Sequence, residues 1–222
     1  MIGQAIGEVL AFGVGVALSP LAIVALVVML VSADGARPAW VFASAWVLSL
    51  ALACALVLLL ADGADASADG GPATWVSVVK IVLGILLIGF GVRRWRGRER
   101  DAEPGWMRQL DGVTATRAAG FAVLFTVVKP KNLLLTIGAG VAVAQTGASP
   151  VGQVLAVGMF VLLGSAGLIV PLAIHVLMPT RGRALLVELR DWMVRENAAV
   201  IAVLSLVIAA KLLGDALISL TS

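Results

Sequence analysis

The chain has 222 residues, of which 61% are hydrophobic and 13% charged, and its formal net charge is +3. A soluble domain carries about 25% charged residues, and a mean hydropathy of +1.07 excludes a water-soluble fold of this length. The bilayer is the solvent that makes such a sequence reasonable. One cysteine, Cys54, excludes an intrachain disulfide and argues against a Cys-based metal site. The arginines lie in three places at the ends of apolar spans, which is not a nucleic-acid signature.

Six apolar segments follow in chain order, roughly Ala5–Val31, Ala39–Ala61, Trp75–Val92, Ala118–Val143, Val151–Val176 and Ala198–Ile218. Each is long enough to cross a hydrocarbon core of about 30 Å at ~1.5 Å per residue. The first lacks the basic flank of a conventional signal peptide and is expected to be retained. The fold class expected is therefore all-α, a polytopic membrane protein of six transmembrane helices.

The connections fix the expected orientation. Loops one, three and five (Ser32–Pro38, Arg93–Arg117 and Pro179–Asn197) carry all twelve arginines, whereas Asp62–Pro72 and Gln145–Pro150 carry no Lys or Arg. Positive-inside sorting puts the odd loops in the cytoplasm and both termini outside, in the bacterial inner membrane. Trp75 at one edge, with Trp40 and Trp95 at the other, suits the aromatic belts. Within the fifth loop, Leu185, Leu186, Leu189, Trp192 and Met193 recur at helical spacing among charges. An interfacial helix near 181–195 is expected there.

Two segments carry a proline near mid-span, in Leu18-Ser19-Pro20-Leu21 and Val128-Lys129-Pro130-Lys131-Asn132-Leu133, and each is followed by a turn ending in proline, Pro38 and Pro150. With three spans per copy, the second copy is inverted. The chain is thus expected to divide into a first three-helix repeat (1–95), an arginine-rich cytoplasmic loop (96–117) and a second three-helix repeat (118–222), with helices 1 and 4 broken.

The second break is the strongest local signal. Lys129 lies about 18 Å along its helix from Arg117, and a Lys at that depth costs at least ~2.5 kcal/mol. Pro130 removes a backbone donor and frees carbonyls. A charged, broken helix needs protein or water around it, which makes Lys129, Lys131 and Asn132 candidate substrate-binding residues. The bland alternative is a span that begins later, with snorkelling lysines. Ser19 joins the candidates at the first break, with Pro20 and Pro130 as hinges. Lys80, about 9 Å into the third segment, faces either a cavity or the interface. Lys211 and Asp215 are spaced for an i, i+4 ion pair, and Glu8 is placed either to join Lys80 or Lys211 or to face headgroup water. His175 is the only histidine; it is either a hydrogen-bonded structural residue or a proton-coupling group. Gly13 and Gly15, Gly84, Gly89 and Gly91, and Gly158, Gly164 and Gly167 read as helix-packing positions. No catalytic constellation and no nucleotide-binding motif appears, so neither an enzyme nor an ATP-driven pump is expected, and no cofactor or metal is implied.

These residues resemble the peptidoglycolipid- and sulfolipid-addressing proteins of the lysine-exporter superfamily. The resemblance rests on Ala17-Leu18-Ser19-Pro20, Trp95-Arg96-Gly97-Arg98, Trp106-Met107, Leu110-Asp111, Lys129-Pro130-Lys131-Asn132-Leu133-Leu134-Leu135, Arg195-Glu196-Asn197-Ala198 and Lys211-Leu212-Leu213-Gly214-Asp215. Lys129 stands where the family pattern has Asn. The resemblance implies a six-helix, inverted-repeat protein assisting lipid or glycolipid export in mycolate-type actinobacteria. Its expected partners are membrane lipids, the lipid substrate, a larger lipid export machine and a second copy in a homodimer. The rival readings are a proton-coupled exporter of amino-acid type and a non-transporting scaffold subunit of a lipid export machine.

Overall fold

A computed structural model describes residues 2–32, 36–63, 67–68, 71–72, 74–96, 112–178 and 181–221. The helices are α1 (Ile2–Ala17), α2 (Pro20–Val31), α3 (Arg37–Gly63), α4 (Thr74–Arg96), α5 (Ala115–Val123), α6 (Pro130–Ala144), α7 (Pro150–Leu177) and α8 (Gly182–Thr221). A π-helical turn, Leu124–Val128, continues α5 up to the second break. The α3–α4 connection holds a two-residue antiparallel pairing of β1 (Ser67–Ala68) with β2 (Gly71–Pro72). Residues 97–111 of the arginine-rich loop, with Trp106-Met107 and Leu110-Asp111, lie outside the described residues, as do Asp34, Asp65 and Asp69.

Among the described residues, three helices are long and apolar enough to cross a membrane by themselves: Arg37–Gly63, Trp75–Arg93 and Pro150–Leu177. The bent pairs α1–α2 (54°) and α5–α6 (64°) bring the number to as many as five. The outward faces are apolar: Leu59 of α3 is 69% exposed, Val154 of α7 71% and Ile218 of α8 68%. Contiguous exposed apolar surface on this scale belongs against lipid. The chain is a membrane protein. The stretch expected as an interfacial helix near 181–195 is helical, and it continues without interruption into the last apolar segment as the first part of the 40-residue α8. The physical reason is plain in the sequence, since no proline lies between Gly182 and Thr221.

Packing is paired. Helix α1 lies on α7 and α6, α5 and α6 lie on α3, α2 lies on α8, α6 touches α4 to a lesser extent, and α4 packs extensively along α8. Side-chain contacts tie the ends together in the same sense. At one end Gln153 Nε2 of α7 donates to Asp62 Oδ2 of α3 at 2.7 Å, and Lys211 of α8 reaches Glu8 of α1 at 3.0 Å. At the other end, which carries Arg37, Arg93, Arg96, Arg117, Arg181 and Arg183, Leu30 and Val31 share a small cavity with His175 and Arg183.

Most of the glycines read as packing positions meet close neighbours, but Gly89 and Gly158 have open space where a side chain would stand. Gly167 is the tightest. A Cβ there would collide with the Ala17 carbonyl oxygen, so a bare Cα is what lets α7 seat against the end of α1.

Candidate functional site: a cavity between two broken helices

Each break is dictated locally. Proline restricts the residue before it to extended backbone and lacks the N–H that would continue the ladder. Ser19 accordingly has φ −103 and ψ 87, and Lys129 has φ −67 and ψ 121. Proline then opens the next helix at its first turn, where a missing donor costs nothing. The outcome at both places is a helix end deep in an apolar bundle, with carbonyls that have lost their partners.

The second break supplies the repair for both. At the first break the Ala22 N–H turns to the Ser19 carbonyl at 3.0 Å, leaving the Leu18 oxygen without its helical donor. Lys131 Nζ donates to Leu18 O at 3.0 Å and to Gly15 O at 2.7 Å. A cation there also suits the negative end of the α1 dipole. At the second break the Lys129 N–H reaches back five residues to Leu124 O at 3.2 Å, which strands the Phe125 oxygen. Asn132 Nδ2 donates to Phe125 O at 2.8 Å, while its Oδ1 accepts from Ser19 Oγ at 2.9 Å. Thr126 Oγ1 donates to the Ala122 and Val123 carbonyls, each at 3.0 Å, and Thr136 Oγ1 donates to Asn132 O at 2.8 Å. Lys131 is 6% exposed and Asn132 1%. Both are held between the breaks by backbone partners, with two of the three ammonium donors of Lys131 in use.

Between the breaks lies a partly open cavity of about 420 Å³, lined by Ser19, Pro20, Leu21 and Ala22, by Phe125, Lys129, Pro130, Lys131 and Asn132, and by Phe90 and Arg93 of α4. Such a volume is within the range of small-ligand sites, ~300–1,000 Å³. Lys129 Nζ sits 3.8 Å from the centroid of the Phe125 ring. Phe125 in turn meets Phe42 of α3 edge-on at 6.2 Å. The cavity is therefore an apolar pocket carrying cations.

The structure brings Ser19, Lys129, Lys131 and Asn132 together with both hinge prolines, Pro20 buried and Pro130 exposed. Lys80 is not among the lining residues. It is buried in α4 with Glu8, Asp215 and Lys211 as its charged neighbours. Phe90 and Arg93 escaped the sequence reading, because only the packing of α4 carries its arginine-bearing end to the breaks. Among the described residues no group of three or more metal-type ligands comes together.

Two interrupted helices meeting at a cation-bearing cavity define a class: a polytopic membrane protein with a polar site inside an apolar bundle. Within that class the chain belongs to the sulfolipid-1-addressing protein (Sap) family, whose model matches residues 9–218. No curated protein and no solved structure matches the chain.

Proposed function

We propose that this protein is an inner-membrane transporter or export accessory for a lipid or glycolipid with an anionic or polar headgroup, and that the headgroup occupies the cavity between the breaks. One observation carries the reading: the cavity joins both breaks to Lys129, Lys131 and Arg93, and among the described residues no acidic side chain lines it. An anionic headgroup suits a cavity lined by basic side chains. Lys129 and Arg93 are the headgroup ligands, because Lys131 and Asn132 already serve the backbone. The family description, which names a sulfolipid, agrees with an anionic headgroup.

The same reading includes six spans in two inverted repeats, with both termini on the outer side. Part of the packing supports it, since exchanging the two halves turns α1 on α7 into α5 on α3. No chemical transformation is proposed, only movement or hand-over of the lipid.

The test is lipid transfer in proteoliposomes. The wild type is expected to move a sulfated or phosphorylated lipid faster than an uncharged one. Replacing Lys129 and Arg93 together by Ala is expected to reduce that rate about tenfold, the equivalent of about 1.4 kcal/mol. Equal rates for the double variant and the wild type would remove the cavity from the function.

A further inference from the structure

The prolines divide each broken span into two arms. Helices α1 and α6 run from the breaks toward the end that holds Glu8 and Gln153. Helices α2 and α5 run from the breaks toward the end that carries the arginines. The two sides are not packed alike. Helix α6 lies firmly on α1 and α3, whereas α2 and α5 barely touch. The cavity occupies the space between the start of α2 and the π-helical turn that continues α5.

The closed side has a defined seal. Gly138 of α6 has no side chain, and the Phe12 ring of α1 fills that seat, since a Cβ on Gly138 would stand 2.6 Å from Phe12 Cε1. About a turn nearer the breaks, Leu135 of α6 sits against Gly15 of α1. Phe12 and Leu135 are each 1% exposed. At the base of the arm Lys131 holds Gly15 O and Leu18 O.

Inverted repeats give the asymmetry a meaning. Exchanging the copies replaces α1 by α5, α2 by α6, α3 by α7 and α4 by α8. The docking of α6 on α1 and α3 then becomes a docking of α2 on α5 and α7. The docking of α2 on α8 becomes one of α6 on α4. Each of these counterparts is the weaker in the structure, while α1 on α7 and α5 on α3 are both extensive. Two copies of one fold that differ in where α2 and α6 rest display the two positions of one arm. The hinge is built in, because each arm starts at a proline, which gives no N–H to the helix before it.

We propose that α2 and α6 are paired gates that swing on Pro20 and Pro130. The structure has the α6 gate shut, with Phe12 on Gly138, and the α2 gate open. In the second state α2 closes on α5 and α7, while α6 leaves Phe12 and rests on α4. The site between the breaks thus faces each end of the bundle in turn. The proposal rests on the inverted-repeat reading above and does not require the cavity's occupant to be a lipid.

The experiment measures distances between spin labels in the full chain with Cys54→Ser, embedded in lipid nanodiscs. One pair, Gly3→Cys with Thr146→Cys, reports α1 against α6. The other, Thr116→Cys with Val31→Cys, reports α5 against α2. A rotation of about 15° moves the free end of α2, about 18 Å from its proline, by about 5 Å. Gly138→Leu fills the Phe12 seat and is expected to shift the population to the second state. The first distance then lengthens by that amount while the second shortens. Phe12→Ala empties the same seat without overpacking and is expected to move both distances in the same directions, to a smaller extent. Lengthening of the first without shortening of the second, or no change in either variant, would overturn the paired gates. Single cysteines at Gly3 and Thr116, near the starts of α1 and α5, test the repeat separately in sealed proteoliposomes. An impermeant thiol reagent is expected to reach them from opposite faces. Labelling from one face would remove the repeat and the gates with it. Opposite faces with uncoupled distances would remove the gates alone.

Discussion

The two breaks begin from the same backbone event and are completed by different chemistry. At Ser19-Pro20 the chain offers a small hydroxyl and two freed carbonyls, those of Gly15 and Leu18, and α2 presents no charged side chain. At Lys129-Pro130 it offers an ammonium and an amide that reach across to those groups, at 2.7 and 3.0 Å from Lys131 and at 2.9 Å between Ser19 and Asn132. One break is an acceptor and the other a donor. In a medium without water each would be costly alone, and together they close one network and leave Lys129 beside a cavity. The difference teaches that proximity of a cation to a pocket does not make it a ligand. Lys131 and Lys129 are two residues apart, yet the first is tied to backbone carbonyls and the second packs on an aromatic ring at the cavity wall.

Substitutions can break this comparison in graded steps. The largest loss is expected from Asn132→Leu, which orphans the Phe125 carbonyl and the Ser19 hydroxyl in the bundle. Each buried unsatisfied group costs ~1–3 kcal/mol, so unfolding in mixed micelles should show a loss of about 3 kcal/mol. Lys131→Met should cost less although it removes two bonds. The two stranded carbonyls cost together about 4 kcal/mol, but the variant also escapes the ~2.5 kcal/mol charged-insertion cost. A net loss of about 1 to 2 kcal/mol is expected in the same assay. A gain in stability would mean that the carbonyls of α1 find other donors. Ser19→Ala removes one donor, leaves Asn132 its bond to Phe125, and should cost about 1 kcal/mol. Measured beside Asn132→Leu, the double variant should cost less than the sum of the two, because they share a bond. Strict additivity would deny that bond.

Much of the fold was legible because membrane constraints act locally. The segments read as Ala39–Ala61 and Val151–Val176 became Arg37–Gly63 and Pro150–Leu177. The breaks fell at Pro20 and Pro130 because X-Pro geometry needs no tertiary information. The Lys211–Asp215 pair followed from helical spacing alone, and its extension to Glu8 is one of the two pairings the sequence left open. The site was legible only in part. Cost arguments found Lys129, Lys131 and Asn132 and read all three as substrate-binding; the backbone bonds of Lys131 and Asn132 were not legible, since they depend on which carbonyls across the bundle lie within reach. Arg93 was hidden for the same reason: in sequence it is one of a run of arginines ending α4, and only the packing of α4 brings it to the breaks. Lys80 illustrates the converse, a buried lysine whose neighbours prove to be Glu8, Asp215 and Lys211 rather than the cavity.

The central claim is that a headgroup sits between the breaks on Lys129 and Arg93, while Lys131 and Asn132 hold the backbone. An experimental structure of the protein in lipid with an added sulfated or phosphorylated lipid tests it most directly. The expected result is headgroup density within hydrogen-bond reach of Lys129 and Arg93, with the Lys131 bonds to Gly15 and Leu18 intact. Headgroup density elsewhere, or a Lys131 that has left those carbonyls to bind the headgroup itself, would contradict it.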